Sequence, residues 1–269
     1  MESEMEQSEI EDVGKTLQSA YDEYYDDSLS GWRETGAKVK ADNIESVCRG
    51  QNYEKVLECG AGEGSILKFF NESEFCKELF ALEISDSGIT QINNRNLDKL
   101  KEVKKFNGYV IPYPDDHFDM VYCSHVIEHV EHPRVLLREL QRVSRNQVFE
   151  IPLDYSPKVD RYMNDYLKIG HINIYTPSTF RFLLKSEGFE IKDELLCHLS
   201  NEVIRYDWYN NRGLKKTIFR EMKLLIVHPL LRLMNRLRYG RNYAEYGYYT
   251  YTCFTNNSEG FKALQTDLD

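Results

Sequence analysis

The sequence predicts an α/β protein with a doubly wound, mostly parallel sheet. Three observations carry this: strand-like and helix-like segments alternate from residue 55 to 196, a glycine-rich turn follows the first strand, and a β-rich segment closes the chain at 247–254. At 269 residues and 41% hydrophobic content, the chain can bury one substantial core with decorations rather than two large ones.

Residues 1–15 are polar and acidic and read as disordered, with order beginning near Val13. Tyr21, Tyr24, Tyr25 and Trp32 are then interleaved with acids, and Val39, Ile44 and Val47 suggest a helix leading into the first strand. Residues 1–45 thus form an aromatic, acidic extension, either a lid over a site or a helix packed at the sheet edge. Strand 55–59 precedes helix 64–71, strand 79–84 precedes helix 87–98, and a short strand near 103–106 leads to the turn-rich segment Ile111 to His117. Strand 118–123 is expected to run into a helix over 124–130. A second helix over 133–143 starts at Pro133 and carries Leu136, Leu137, Leu140 and Val143 at helical spacing. Strand 147–151 follows, Thr176-Pro177 opens a helix that Gly188 closes, and 189–196 reads as a strand. The last strand, 247–254, is expected antiparallel beside 189–196, which makes 198–246 an insertion. The core is therefore 46–197 plus 247–256. No internal repeat interrupts it.

The turn is the most informative local feature. Val56-Leu-Glu-Cys-Gly-Ala-Gly-Glu-Gly64 places Gly60, Gly62 and Gly64 at every second position, where a missing Cβ lets backbone approach a ligand. A dinucleotide fingerprint needs G-x-G-x-x-G around a pyrophosphate. Here the spacing is G-x-G-x-G, and Glu58 stands two residues before the first glycine, where a carboxylate would repel a pyrophosphate and suit a cationic group.

Charge is unevenly placed within the net −10. Residues 1–30 hold ten acids against Lys15, whereas 212–241 hold nine Lys and Arg against Glu221. The basic segment carries Ile218, Met222, Leu225, Ile226, Leu230, Leu233 and Leu237 near helical spacing and fits a membrane surface, an anionic substrate or a partner subunit. Pro229 and the tyrosine-rich flanks favour a cap or a dimer element, so a homodimer is compatible with the sequence. The acidic total argues against nucleic acid. Six cysteines lack any C-x-x-C, no basic n-region precedes an apolar run, and no stretch reaches the roughly 20 apolar residues of a spanning helix. A cytoplasmic protein with free thiols, no structural zinc and no transmembrane segment is expected.

Four segments in order resemble the small-molecule branch of the class I S-adenosylmethionine-dependent methyltransferases, over about residues 53–196 plus the final strand. They are Val56 to Gly64, Ala81-Leu82-Glu83-Ile84-Ser85, Asn107-Gly108 with Ile111 to Asp119, and His125 to Pro133, which is similar to that branch's "EHV-x-x-P". The resemblance implies a Rossmann-like fold and S-adenosylmethionine as cofactor. It implies contacts from Glu58, Gly60, Ala61, Gly62, Gly64, Glu83, Ile84, Asn107, Gly108, Cys123 and Ser124. Glu83 would take both ribose hydroxyls, as an ionised carboxylate accepts two hydrogen bonds. Asn107 departs from the Asp usual at the adenine position, and its amide still offers an acceptor and a donor.

Methyl transfer is an in-line displacement that chiefly needs positioning, plus a base when the acceptor is a hydroxyl. His125, His129 and His171 are the candidate catalytic residues, with Glu128 beside them. His125 and His171 are read either as base or substrate contact or as orienting groups. His129 is expected one helical turn past His125 on the same face, where packing accounts for it. Tyr24, Tyr25, Trp32, Asp154, Tyr155 and Tyr175 are candidate substrate contacts. His125-x-x-Glu128-His129 also matches an inverted zinc-protease motif, but it lies inside the longer segment above, so no metal site is expected. The expected activity is methylation of a small molecule, at oxygen rather than nitrogen, with a sugar or other biosynthetic metabolite as acceptor. The alternatives are a non-catalytic methyltransferase-like binding module and a metal-dependent hydrolase.

Overall fold

The computed structural model describes residues 30–156 and 159–258. The described residues begin with helix α1 (Ser30–Val47), followed by β1 (Tyr53–Cys59), α2 (Ser65–Glu72), β2 (Cys76–Glu83), α3 (Asp86–Asn94), β3 (Leu100–Lys105) and β4 (Met120–Ser124). Next come α4 (Pro133–Val143), β5 (Asn146–Pro152), α5 (Val159–Lys168), α6 (Pro177–Ser186), β6 (Phe189–Cys197) and, after a helical insertion, β7 (Thr250–Asn257). The sheet order is β3-β2-β1-β4-β5-β7-β6. The β3-to-β5 strands are parallel, and β7 runs antiparallel to both β5 and β6. This is the expected doubly wound sheet, with the last strand slotted between β5 and β6.

Period-two alternation puts successive residues of each strand into opposite cores. On one face Val56, Leu79, Ala81, Met120, Tyr122 and Val148 pack with α1, α2 and α3 through Ala41, Ile44, Leu67, Phe70 and Ile92. On the other, Leu57, Leu82, Val121, Phe149 and Ile151 pack with α4 and α6 through Leu136, Leu140, Phe180 and Leu184. In α1 the core-facing positions are 37, 41, 44 and 47, with Cys48 buried just past its end, one stripe of a helix. Residues 36, 40 and 43, on the neighbouring stripe, are left to face the strand ends.

One expected element is replaced. Residues 124–130 do not form a helix: His125 takes a left-handed φ of 55° and its N–H donates to the Glu150 carbonyl at 2.8 Å, so the chain turns sharply out of β4. Only a single 3-10 turn, Ile127–His129, follows. His129 therefore does not sit one α-turn beyond His125, and the zinc-protease helix does not exist.

The insertion comprises α7 (Asn201–Tyr206), α8 (Ile218–Met222), α9 (His228–Tyr239) and α10 (Tyr243–Tyr246), with wide π turns at Asp207–Asn211 and Lys223–Val227. The second π turn precedes Pro229, whose ring would clash with the carbonyl four residues back in a regular helix. No helix among the described residues is long and apolar enough to cross a membrane.

Candidate active site

A cavity of about 650 Å³ opens at the C-terminal ends of β1, β2, β4 and β5, where open parallel sheets bind ligands. Its floor is the glycine turn. Gly60 and Ala61 both donate backbone N–H to the Leu82 carbonyl at 2.9 Å, which ties the turn to β2. Gly60, Gly62 and Gly64 all have positive φ. A Cβ on Gly60 would stand 2.5 Å from Val126 Cγ2, so the turn and the segment after β4 touch because no side chain intervenes.

Glu83 closes β2 and is almost fully buried. One carboxylate oxygen accepts from Gly62 N–H at 2.7 Å; the other accepts from Ser85 N–H at 3.0 Å and Ser85 Oγ at 2.9 Å. Three of the carboxylate's roughly four lone-pair sites are thus taken, the oxygen that accepts from Gly62 keeps one free, and the residue lines the cavity. Ser85 in turn caps α3 by accepting from Gly88 N–H at 3.1 Å. Burial raises the Glu83 carboxyl above its ordinary range against those donors.

Glu58 also lines the cavity and accepts from the Tyr122 hydroxyl at 2.7 Å. Burial pushes its carboxyl up to about 8, against the pull of Tyr122, Lys40 and Arg95. A raised folded-state value favours the protonated group, so its stabilising contribution is complete below about 4.5 and is lost as pH rises through about 8. Urea unfolding should therefore show stability falling over that window by up to about 1.4 kcal/mol per pH unit. Glu58→Gln should reduce this slope, most clearly above about pH 7, with the rest left to the likewise raised Glu83 and Glu128; an unchanged slope would assign it wholly to those groups.

The opposite wall carries the histidines. His125, His129 and His171 all line the cavity, with Asp154 beside them. His129 Nδ1 pairs with the Gly170 carbonyl at 2.9 Å, and His171 Nδ1 hydrogen-bonds Asp154. The His129 and His171 rings meet edge to face at 4.7 Å. Burial pulls His129 down to about 4 and His125 well below the usual imidazole range, so both rings are neutral at pH 7. Burial likewise pushes Glu128, only 1% exposed, up to about 7.

Other sequence candidates fall on both sides of the cavity boundary. Trp32, Ala61, Ile84, Gly108 and Ser124 line it. Gly64 lies just outside, as the left-handed N-cap of α2. Asn107 is outside as well: its side-chain oxygen accepts from Tyr109 and Val110 N–H at 3.0 and 2.8 Å, holding its own loop. Cys123 points into the core between β4 and its neighbours, and Tyr175 packs on Phe180 at 5.2 Å between centroids. Tyr155 is 39% exposed and faces Tyr246. Alternation along β4 turns Cys123 away from the site, and Tyr155 and Tyr175 are drawn off by their ring partners Tyr246 and Phe180. Tyr24 and Tyr25 lie outside the described residues.

The structure adds residues that the sequence reading passed over. Gly36, Lys40 and Asn43 on α1 form a cavity wall, a polar stripe at helical spacing beside the apolar one. Asn43 Nδ2 donates to Glu150 at 2.8 Å, and Ser124 Oγ donates to the other Glu150 oxygen at 2.8 Å. Burial lowers the Lys40 ammonium below its ordinary range, against the pull of Glu150, Glu128 and Glu58. Phe106, beside Gly108, supplies an aromatic face on the β2–β3 side.

A sheet of this order, a glycine turn after β1 and an acid closing β2 define the class I S-adenosylmethionine-dependent methyltransferase fold. The model of the methyltransferase-domain family matches residues 21–194, and the chain belongs to that family. It is 28% identical over 95 residues to YrhH of Bacillus subtilis (strain 168), named as a methyltransferase; the match covers 35% of this chain and about half, 53%, of that protein. It is 24% identical over 176 residues to the uncharacterized methyltransferase YcgJ of the same organism, covering 62% and 67%. Among solved structures, the [4+2]-cyclase SpnF superimposes with a TM-score of 0.59 at 14% identity, over 87% of this chain and 86% of that one. That likeness is one of fold, and a fold does not by itself set the reaction.

Proposed function

We propose that this chain methylates a small-molecule acceptor from S-adenosylmethionine, at an oxygen, with a sugar or another biosynthetic metabolite as the acceptor class to test first. The observation that carries the reading is one cavity shared by Glu58, the Gly60–Gly62 turn and Glu83 on one side and His125, His129 and His171 on the other.

The residues fit the cofactor. The turn admits close backbone approach, Glu83 keeps an acceptor direction for a ribose hydroxyl, a cationic methionine end would draw Glu58 into its carboxylate form, and Ile84, Phe106 and Gly108 offer an apolar slot for a base. When bound, S-adenosylmethionine supplies an electrophilic methyl group. The chain's own work is then to hold the acceptor oxygen in line, exclude water and take the hydroxyl proton. His125 is suited to the last role: its ring is neutral, and its Nε2 is buried without a hydrogen-bond partner. His129, His171, Asp154 and Trp32 complete the acceptor side.

Calorimetry with S-adenosylmethionine and S-adenosylhomocysteine tests the reading, and saturable heat with both is expected. No heat at high protein concentration would overturn it. His125→Ala should retain cofactor binding and lose about 10²–10⁴-fold in turnover; unchanged turnover would remove His125 as the base.

The reading divides the chain into the core, the 1–45 extension and the 198–246 insertion as a cap or dimer element. His198, Leu199, Ser200 and Val203 of the insertion line the cavity, whereas Ile218, Phe219, Leu230, Leu233 and Leu237 are exposed. An apolar stripe of that length supports self-association, which sedimentation at several concentrations would detect. All six cysteines are free and five are buried, which supports a cytoplasmic setting.

A further inference from the structure

We propose that Glu128, His129 and His171 form a binding site for a divalent first-row transition ion, whose open coordination positions face the cavity and take an oxygen of the acceptor. The first half of this stands on the three side chains alone; the second rests on the methyl-transfer reading.

One ligand atom from each of the three residues lies within 4.8 Å of the others. Glu128 is the decisive member. It is buried, yet neither of its carboxylate oxygens has a hydrogen-bond partner, a costly arrangement for a group that could ionise. The two imidazole nitrogens paired with it, His125 Nδ1 at 3.5 Å and His129 Nε2 at 3.8 Å, make no hydrogen bond to it. The 3.8 Å between His129 Nε2 and Glu128 suits two ligands of one ion instead. Two donors about 2.1 Å from a metal at a tetrahedral angle stand roughly 3.4 Å apart, so that pair needs only a small contraction, and the three-residue set, within 4.8 Å, closes around the ion as it binds.

The outer contacts point the same way. His129 gives its Nδ1 to the Gly170 carbonyl and His171 gives its Nδ1 to Asp154. Each pairing fixes the tautomer in which Nε2 carries the lone pair, the usual support of a metal-bound imidazole. The two chain segments are also locked together before any ion arrives. Ile172 and Asn173 both donate N–H to the Glu128 carbonyl, at 3.0 and 2.9 Å, and Asn173 Nδ2 donates to the Val130 carbonyl at 2.7 Å. Two imidazoles and one carboxylate match zinc, manganese, iron or cobalt rather than magnesium or calcium. His129 and His171 lie on the cavity wall with Glu128 behind them, so water or an acceptor hydroxyl can complete the shell. In this arrangement the two histidines bind and orient, and His125 remains the proton acceptor.

The test uses chelator-treated, tag-free protein titrated with Co²⁺ and followed by its visible absorption, with Zn²⁺ as competitor. One saturable equivalent displaced by zinc is expected. Glu128→Gln and His171→Ala should abolish the spectrum, and Asp154→Asn, which touches no metal, should weaken affinity about 10–100-fold. Absence of a saturable spectrum in the wild-type protein would overturn the site, as would an unchanged titration in the Glu128 and Asp154 variants; thermal melting identifies any variant that fails to fold. S-adenosylhomocysteine binding by the metal-free protein separates this outcome from the methyl-transfer reading. A bound ion without cofactor binding sinks the latter alone, and cofactor binding without an ion sinks the former alone.

Discussion

Gly60→Ala is expected to abolish measurable S-adenosylhomocysteine binding while leaving a folded protein. Two costs combine at this position. The backbone sits at φ +77°, where an L side chain costs about 1–2 kcal/mol. The new methyl group would also stand 2.5 Å from Val126 Cγ2, a separation that forces the turn and the post-β4 segment apart. Both segments border the cavity, so the displacement falls where the ligand must approach. Gly50→Ala separates the two costs: its φ is +71°, nothing lies within 4 Å of the added Cβ, and it lies outside the cavity lining. It should lower stability by about 1 kcal/mol and leave binding intact. Equal binding losses in the two variants would mean that the close approach at Gly60 does not matter.

Why this turn could be read from the sequence, and the arrangement of the three histidines around Glu128 could not although each histidine was named, follows from the range of the interactions. Gly60, Glu83 and the strands that carry them are specified locally, by φ requirements and by apolar runs of strand length. Segment 124–130 has helical composition, and its left-handed turn is imposed by β5, through the bond from His125 N–H to the Glu150 carbonyl. The approach of His171 to Glu128 depends on backbone bonds across more than forty residues, which no local pattern records. Side-chain direction was the other loss. Cys123 and Tyr175 lie close to the site in sequence, but each points into the core. Lys40 and Asn43 were legible in principle, since a polar stripe beside an apolar one on a helix marks a face that meets something other than a greasy sheet.

Glu63 was read only as one of the residues between the glycines, and it should prove a major stabilising side chain. It is 3% exposed and pairs with Arg33 at 2.8 Å and with Arg95 at 3.4 Å, while Ser65 Oγ donates to it at 2.6 Å. Arg33 belongs to α1 and Arg95 follows α3, so one carboxylate joins both helices to the cofactor turn. Removing one member of a buried pair strands the other charge and typically costs about 3–5 kcal/mol. Arg95 retains the Glu63 carbonyl at 2.6 Å and Ser65 at 3.0 Å, which places Glu63→Ala near the lower end, about 3 kcal/mol. The exposed pair Lys38–Asp42, at 57% and 61% side-chain exposure, provides the contrast: Asp42→Ala should leave the unfolding midpoint essentially unchanged. Urea unfolding of both variants decides it. Because Arg33 stands beside Trp32 on the cavity wall, Glu63→Ala should also weaken cofactor binding. A large stability loss with unaltered binding would show that α1 holds its place on the sheet without the Arg33–Glu63 contact.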